Sequence, residues 1–114
     1  MPAKRPYILT ETAEKDFRAA KAWSIKRWGK SLTSKYFLAL DAAARHIADC
    51  SPASEEYGGL GVYPVKEHYL VYLSQTDKPL IIVALIRQTR DVPAILEANK
   101  YRLLREVRAV VGNK

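Results

Sequence analysis

One apolar run in the second half of the chain constrains the fold more than any other feature. Residues 80–86 read Leu-Ile-Ile-Val-Ala-Leu-Ile, with no polar residue in alternation. A strand that buries only one face alternates apolar and polar side chains, so this run predicts a strand buried on both faces. Its length of seven residues is far below the roughly 18 that suggest a membrane-spanning helix. The sequence therefore predicts a sheet that needs a cover on each side of this strand.

The first half of the chain predicts a strand followed by a helical hairpin. Residues 7–10 read as a short strand, and Thr10 can cap a helix that ends near Gly29. A second helix, capped by Ser31, carries an apolar stripe formed by Tyr36, Leu40, Ala43 and Ile47. We expect it to end by Ser51 and Pro52. The link between the helices is too short for anything but a hairpin, so they should lie antiparallel.

The second half predicts a loop, three strands and a helical tail. Residues 52–61 are rich in Gly, Pro and Ser and read as a loop. The strands that follow are predicted over 62–65, 68–74 and 80–87, and their short links, the second through residues 75–79, require antiparallel neighbours. After Asp91, a possible cap, the pattern predicts one helix, or two with a break near Asn99. We expect one domain over 1–114, with an extra C-terminal helix over 98–114.

The predicted α-hairpin leaves one face of the sheet without a cover. The α-hairpin can cover only one face of the apolar strand. The other face must be covered by the C-terminal helix or by another protein. This is the first indication of a partner in the sequence.

Composition limits the function classes. The 114 residues carry a formal charge of +7, which favours an acidic partner but lies within the range of ordinary solubility charge. Cys50 is the single cysteine and there are two histidines, so an internal disulfide is excluded and a metal site is improbable. The first residues contain no long apolar stretch, and we expect a soluble, cytoplasmic protein without a cofactor and without membrane contact. No phosphate-binding loop or serine-hydrolase elbow occurs.

Five segments, in order from residue 7 to about residue 96, resemble the RelE/ParE toxin superfamily, and most closely its ParE branch. The first three are Leu9–Phe17, Arg27–Gly29, and Tyr36–Leu40 together with Ile47 and the helix exit at Ser51-Pro52. The fourth is Tyr63–Tyr72, in which a histidine opens a strand that ends in tyrosine. The fifth is Ile81–Leu96, which contains Arg90-Asp91-Val92. The chain departs from the family pattern at two places. Arg87 stands where the family usually has a histidine near the end of the last strand, and residues 99–114 extend beyond the common pattern.

The resemblance implies an α+β, RelE/ParE-like fold, in which an N-terminal strand and an antiparallel α-hairpin pack on a mainly antiparallel four-stranded sheet, with a C-terminal helix added. It also implies the toxin of a type II toxin–antitoxin system, of the kind linked to plasmid stabilisation, which inhibits growth and is neutralised by a cognate antitoxin. The ParE branch is associated with poisoning DNA gyrase, without chemistry by the toxin itself. The RelE branch cuts messenger RNA on the ribosome as a metal-independent endoribonuclease. A further alternative for the function is a non-enzymatic binding module or an inactive toxin. The oligomeric state is open between a homo-oligomer and a hetero-oligomer with the antitoxin.

Candidate site residues follow from these alternatives. For a ribonuclease the cations would be Lys66, Arg87 and Arg90, with Tyr101 or Arg102 as further candidates, because RNA cleavage needs groups that move protons and stabilise phosphorane charge. Candidates for partner binding are His68, Tyr72, Arg87, Arg90 and Asp91. From His68 to Ile86 the only cation besides the histidine is Lys78, in a loop, and this scarcity favours gyrase over RNA as the target.

Overall fold

The computed structural model describes residues 7–50, 55–57, 59–74 and 79–112. The predicted helix exit at Ser51 and Pro52 and the loop residues 75–78 lie outside these ranges. The elements are β1 (Tyr7–Leu9), α1 (Glu11–Cys50), β2 (Glu55–Tyr57), β3 (Leu60–Val65), β4 (His68–Leu73), β5 (Leu80–Arg87), α2 (Val92–Ala98) and α3 (Lys100–Gly112).

Helix α1 is two helices in one continuous segment, broken at Gly29. This glycine has φ 85° and ψ 169°, a conformation outside the helical region that glycine adopts at little cost. The rings of Phe17 and Phe37 lie 6.0 Å apart between centroids. In a straight helix their twenty-residue separation would be about 30 Å, so the two halves of α1 (11–28 and 30–50) fold back as the predicted antiparallel hairpin.

Thr10 begins α1 and ties it to the sheet. Its hydroxyl accepts a hydrogen bond from the backbone N–H of Ala13 at 3.2 Å and donates one to the carbonyl of Val83 at 3.1 Å. Its own N–H donates to the carbonyl of Ile82 at 3.1 Å. The predicted cap is therefore confirmed, and it also fixes the start of the hairpin against β5.

The sheet has the strand order β1-β5-β4-β3-β2, with β1 parallel to β5 and every other pair antiparallel. The four predicted strands are present. The prediction of a loop throughout 52–61 is wrong, because Glu55–Tyr57 pairs with Leu60–Val62 as a fifth, outermost strand. A three-residue edge strand that contains two glutamates carries no apolar alternation, which is why the sequence pattern does not reveal it.

Strand β5 is buried on both faces, as its apolar run predicts, and the chain itself supplies both covers. One core contains Leu80, Ile82 and Leu85 with Tyr36 and Leu40 of α1. The second core lies on the opposite face and joins the sheet to α2 and α3; its members are Val62, Val71, Ile81, Val83, Ala84, Ile86, Val92, Leu96, Leu103 and Val107. The two-sided burial of β5 therefore requires no second chain.

The tail forms two helices with the predicted break at Asn99. Asp91 caps α2, since its carboxylate accepts a hydrogen bond from the N–H of Ala94 at 3.2 Å. The Asn99 side chain donates to the carbonyl of Ile95 at 2.8 Å and ends α2 there. Among the residues that the structure describes, no helix is long and apolar enough to cross a membrane.

Candidate functional site

A cavity of about 410 Å³ opens between the first half of α1, the end of β5 and the two C-terminal helices. We call it the cationic pocket. Its polar lining residues are Thr12, Asp16, Trp23, His68, Arg87, Arg90, Asn99 and Arg102. Its apolar lining residues are Ala19, Ala20, Ala84, Leu85, Ile86, Ile95, Leu96 and Leu103.

The pocket exists because β1 is too short to pair with all of β5. β1 covers only Leu80 to Ile82, so the outer edge of β5 beyond that point needs other hydrogen-bond partners. The carboxylate of Asp16 accepts the backbone N–H of Leu85 at 3.1 Å and satisfies one of these groups. Burial raises the pKa of Asp16 above its usual 3.8, although the Leu85 N–H and the charge of Arg102 act in the opposite direction.

Arg87 is the innermost cation of the pocket. Its guanidinium carbon lies 4.3 Å from the centre of the Trp23 ring, and Arg27 lies over the same ring at 5.0 Å. The Nε of Arg87 is shielded from solvent and has no hydrogen-bond acceptor within the described part of the chain. A buried donor without an acceptor lowers the stability of the fold. Arg87 is therefore held in place by its contact with the Trp23 ring and keeps one donor that can still bind an acceptor.

Two further arginines flank the opening. Arg90 is exposed in the turn after β5, and the Arg102 side chain is 52% exposed on α3. Arg102 also forms an ion pair with the carboxylate of Glu106 at 3.9 Å, a distance that leaves the half-exposed guanidinium room to adjust. The pocket therefore combines one fixed guanidinium with two adaptable ones.

His68 lies behind Arg87, its cross-strand partner on β4, and is only 2% exposed. Its Nδ1 is 2.6 Å from the hydroxyl of Tyr36, which also donates to the carbonyl of Val65 at 3.1 Å. Burial, helped by the charge of Arg87, lowers the pKa of His68 below 6.5, so the ring is neutral at pH 7. Burial likewise raises the pKa of Tyr36 to about 12.

The structure brings together four of the sequence-predicted candidates. His68, Arg87 and Arg90 line the cationic pocket, and so does Arg102. Lys66 does not; it is exposed in the turn between β3 and β4, with φ 53°. Asp91 serves as the cap of α2 next to Arg90.

Two other candidates lie away from the pocket. Tyr72 is 7% exposed in the core beneath α1, because its position on β4 alternates in phase with Leu70. Tyr101 is 81% exposed on α3.

Sequence reasoning missed Asp16 and Trp23 as parts of this site. Both recur at helical spacing with Ala13 and Ala20, which are buried against the sheet. Positions 13, 16, 20 and 23 form one stripe on α1. Asp16 and Trp23 stand out on this stripe because its other members are small. A stripe of this kind that faces the end of an apolar strand is a signal that could have located the pocket.

Residues 7–92 match the model of the family described as the ParE toxin of the type II toxin–antitoxin system parDE. The chain belongs to the ParE toxin family. The toxin ParE of Escherichia coli is 29% identical over 90 residues, which cover 75% of this chain and 87% of that protein.

A solved structure, described as the chromosomal ParDE TA system from P. aeruginosa, contains a chain with the same fold. The TM-score is 0.61 at 14% sequence identity, and the alignment covers 71% of this chain and 92% of that chain. At this identity the likeness concerns the fold alone. It agrees with the predicted α+β fold of the ParE branch.

The family match ends at the first residue of α2. Nearly all of α2 and all of α3, Val92–Ala98 and Lys100–Gly112, therefore lie beyond the matched segment. Asn99, Arg102 and Leu103, which form one wall of the cationic pocket, come from this part of the chain. The pocket thus joins a ParE-like core to a tail that the family pattern does not describe.

Proposed function

We propose that this ParE-family toxin inhibits growth by poisoning DNA gyrase in the cytoplasm, and that a cognate antitoxin neutralises it. The proposal rests on the ParE match, since poisoning of gyrase is associated with that branch. It needs no catalytic machinery in the toxin, only a surface that gyrase recognises.

The structural observation that supports the proposal is that helices cover both faces of the sheet. An RNA-cleaving mechanism of the kind expected for the RelE branch places cations on an open, concave sheet face. Here α1 covers one face, and α2 and α3 cover the opposite face of β5. In the described part of the chain, helices therefore lie on both sides of β5, and a helical surface suits recognition of a protein.

A supercoiling assay tests this proposal. Purified toxin is added to gyrase, relaxed plasmid and ATP, with topoisomerase I relaxation of the same plasmid as the control for general effects on DNA. We expect loss of supercoiling and accumulation of cleaved plasmid after denaturation, with topoisomerase I unaffected. Unchanged gyrase activity at excess toxin would contradict the proposal.

A second candidate, the ribosome-dependent endoribonuclease, is favoured by one observation. His68, which is neutral because burial lowers its pKa, lines the same pocket as Arg87, Arg90 and Arg102. A neutral imidazole can take the proton of an attacking 2′-hydroxyl, and guanidinium groups can stabilise the charge that develops on phosphorus.

Cleavage of messenger RNA on translating ribosomes separates the two candidates. A ribonuclease would leave fragments ending within the A-site codon, and Arg87→Ala and Arg90→Ala would abolish them. The exposed Arg108 on α3 is the matched control, since it does not line the pocket. If Arg87→Ala and Arg90→Ala leave toxicity intact, the ribonuclease reading fails.

A further inference from the structure

The charge of the cationic pocket is not balanced by its own residues. Arg87, Arg90 and Arg102 outnumber the nearby carboxylates, which are that of Asp16, already accepting the N–H of Leu85, and that of Glu106, which lies 3.9 Å from Arg102. His68 adds no charge at neutral pH. A net positive cavity with a wet rim favours an anionic group as its ligand.

Arg87 shows how that group would be held. A guanidinium binds a carboxylate side-on through Nε–H and one terminal N–H, in two parallel hydrogen bonds. The Nε of Arg87 is buried and lacks an acceptor among the described residues, while the Trp23 ring fixes the plane of the group. The Nε is closed to solvent in this conformation, so the Arg87 side chain must turn toward the cavity for a carboxylate to bind in this way. The carboxylate would then satisfy a donor that is unpaired among the described residues.

The aromatic lining argues for a carboxylate of a protein and against a nucleotide. Single-stranded nucleic acid is held by bases stacked on open aromatic faces. Two guanidinium groups, those of Arg27 and Arg87, already lie over the Trp23 ring. His68, the other aromatic lining residue, is 2% exposed, so neither ring offers a base a free platform.

The apolar half of the lining adds a second requirement. Ile95, Leu96 and Leu103 form the wall from the C-terminal helices, and Ala19 and Ala20 form the wall from α1. A ligand that fills this cavity needs apolar surface next to its charge. Glutamate or aspartate beside an aliphatic side chain meets both conditions.

We propose that the cationic pocket binds an acidic side chain carried by an apolar segment of a partner protein. Arg87 is the principal contact, and Arg90 and Arg102 close over the same carboxylate from the rim. The inference concerns the chemistry of the pocket and holds whether or not gyrase is the target.

A peptide titration followed by NMR tests it. The probe is a capped peptide in which glutamate alternates with leucine, and its control is the same peptide with glutamine in place of glutamate. The full-length protein is labelled with ¹⁵N, and the Arg Nε–Hε signals are recorded. We expect the Arg87 signal to shift and saturate with the glutamate peptide and to stay unchanged with the glutamine peptide.

Variants locate the binding. Arg87→Gln should weaken binding about tenfold or more, because it removes the charge and the side-on geometry. Arg108→Gln should leave the affinity within about twofold, since an exposed charge outside the pocket contributes little. Arg102→Gln at the half-exposed rim tests the same pocket without disturbing the core, and should weaken binding even if Arg87→Gln folds poorly.

Three results would overturn the inference. One is equal binding of the glutamine and glutamate peptides. Another is an Arg87 signal that does not respond to the glutamate peptide. The third is a short single-stranded RNA that shifts the Arg87 signal at lower concentration than the peptide, which would make the pocket a nucleic-acid site. Because gyrase takes no part in the titration, failure here and failure of the supercoiling assay are distinguishable.

Discussion

Glu106 of α3 accepts two hydrogen bonds from Thr12 in the first turn of α1, one from its backbone N–H at 3.0 Å and one from its hydroxyl at 2.8 Å. The first N–H groups of a helix have no partner within the helix, and a carboxylate is favoured there by the helix dipole. The tail therefore docks through an apolar contact with the sheet and also through a polar one with the start of the hairpin. Both contacts come from residues beyond the family match.

Replacement of Glu106 tests the polar contact. Glu106→Ala should lower the free energy of unfolding by about 1–2 kcal/mol, the usual cost of losing a carboxylate cap with a second hydrogen bond. Glu97→Ala is the matched control on the neighbouring helix, because Glu97 is exposed. Urea denaturation of both variants measures the difference. Equal stability of the two variants would show that the Thr12 contact contributes nothing.

Leu103 and Leu104 test the apolar contact as an adjacent pair on α3. Leu103 is 3% exposed in the second core, whereas Leu104 is 39% exposed. Leu103→Ala should cost about 2–4 kcal/mol because it opens a cavity beneath α3, and Leu104→Ala should cost well under half of that. Thermal unfolding of the two variants gives the comparison. A similar loss for both would mean that α3 does not pack on the sheet in solution.

The sequence predicted most of the fold because its strongest local signals agree with the tertiary structure. The apolar run of β5, the break at Gly29 and the caps at Thr10 and Asp91 all occur where the pattern places them. What it left open was the cover of the second sheet face, which the chain supplies with α2 and α3. An uncovered face is thus not the reason to expect an antitoxin; the family match is.

Gly61 and Tyr72 are cross-strand neighbours, and the Tyr72 ring occupies the space that a side chain at position 61 would need. A Cβ at position 61 would lie 2.3 Å from Cζ of Tyr72. Gly61→Ala should therefore destabilise the protein by about 1–3 kcal/mol through overpacking. In the Tyr72→Leu background, where the distal ring atoms are gone, the same substitution should cost clearly less. A double-mutant cycle measures this coupling, and additive effects would contradict it.

The pH dependence of stability should report on His68. Its folded pKa is lowered below 6.5, so the unfolded chain takes up the proton first as the pH falls. The contribution of neutral His68 is therefore fully present above about pH 6.5 and is lost as the pH decreases toward the folded pKa.

Melting temperatures of the wild type and of His68→Gln at pH 7.5, 6.5 and 5.5 test this. The wild type should lose stability more steeply toward low pH than the variant. His46→Gln serves as the control, because His46 is exposed on α1. Asp16, whose pKa is raised, contributes a slope of the opposite sign and is present in all three proteins. Parallel curves for the wild type and His68→Gln would contradict a depressed pKa of His68.

The candidate site was predicted only in part. Arg87 and Arg90 stand out in the sequence because they follow an apolar strand, and His68 because it opens one. Asp16, Trp23 and Arg102 come from α1 and α3, and only tertiary packing brings them to the end of β5. Lys66 is next to this region in the sequence, but the turn between β3 and β4 places its side chain in solvent.

Colony formation after induction tests the central claim most directly. The full chain is expressed from a tightly controlled promoter in Escherichia coli, alone and together with its cognate antitoxin, and viable cells are counted over time. The account predicts that colony counts fall sharply when the chain is expressed alone and recover when the antitoxin is present. Unchanged counts in cells that contain the folded, full-length protein without an antitoxin would contradict its assignment as an active toxin.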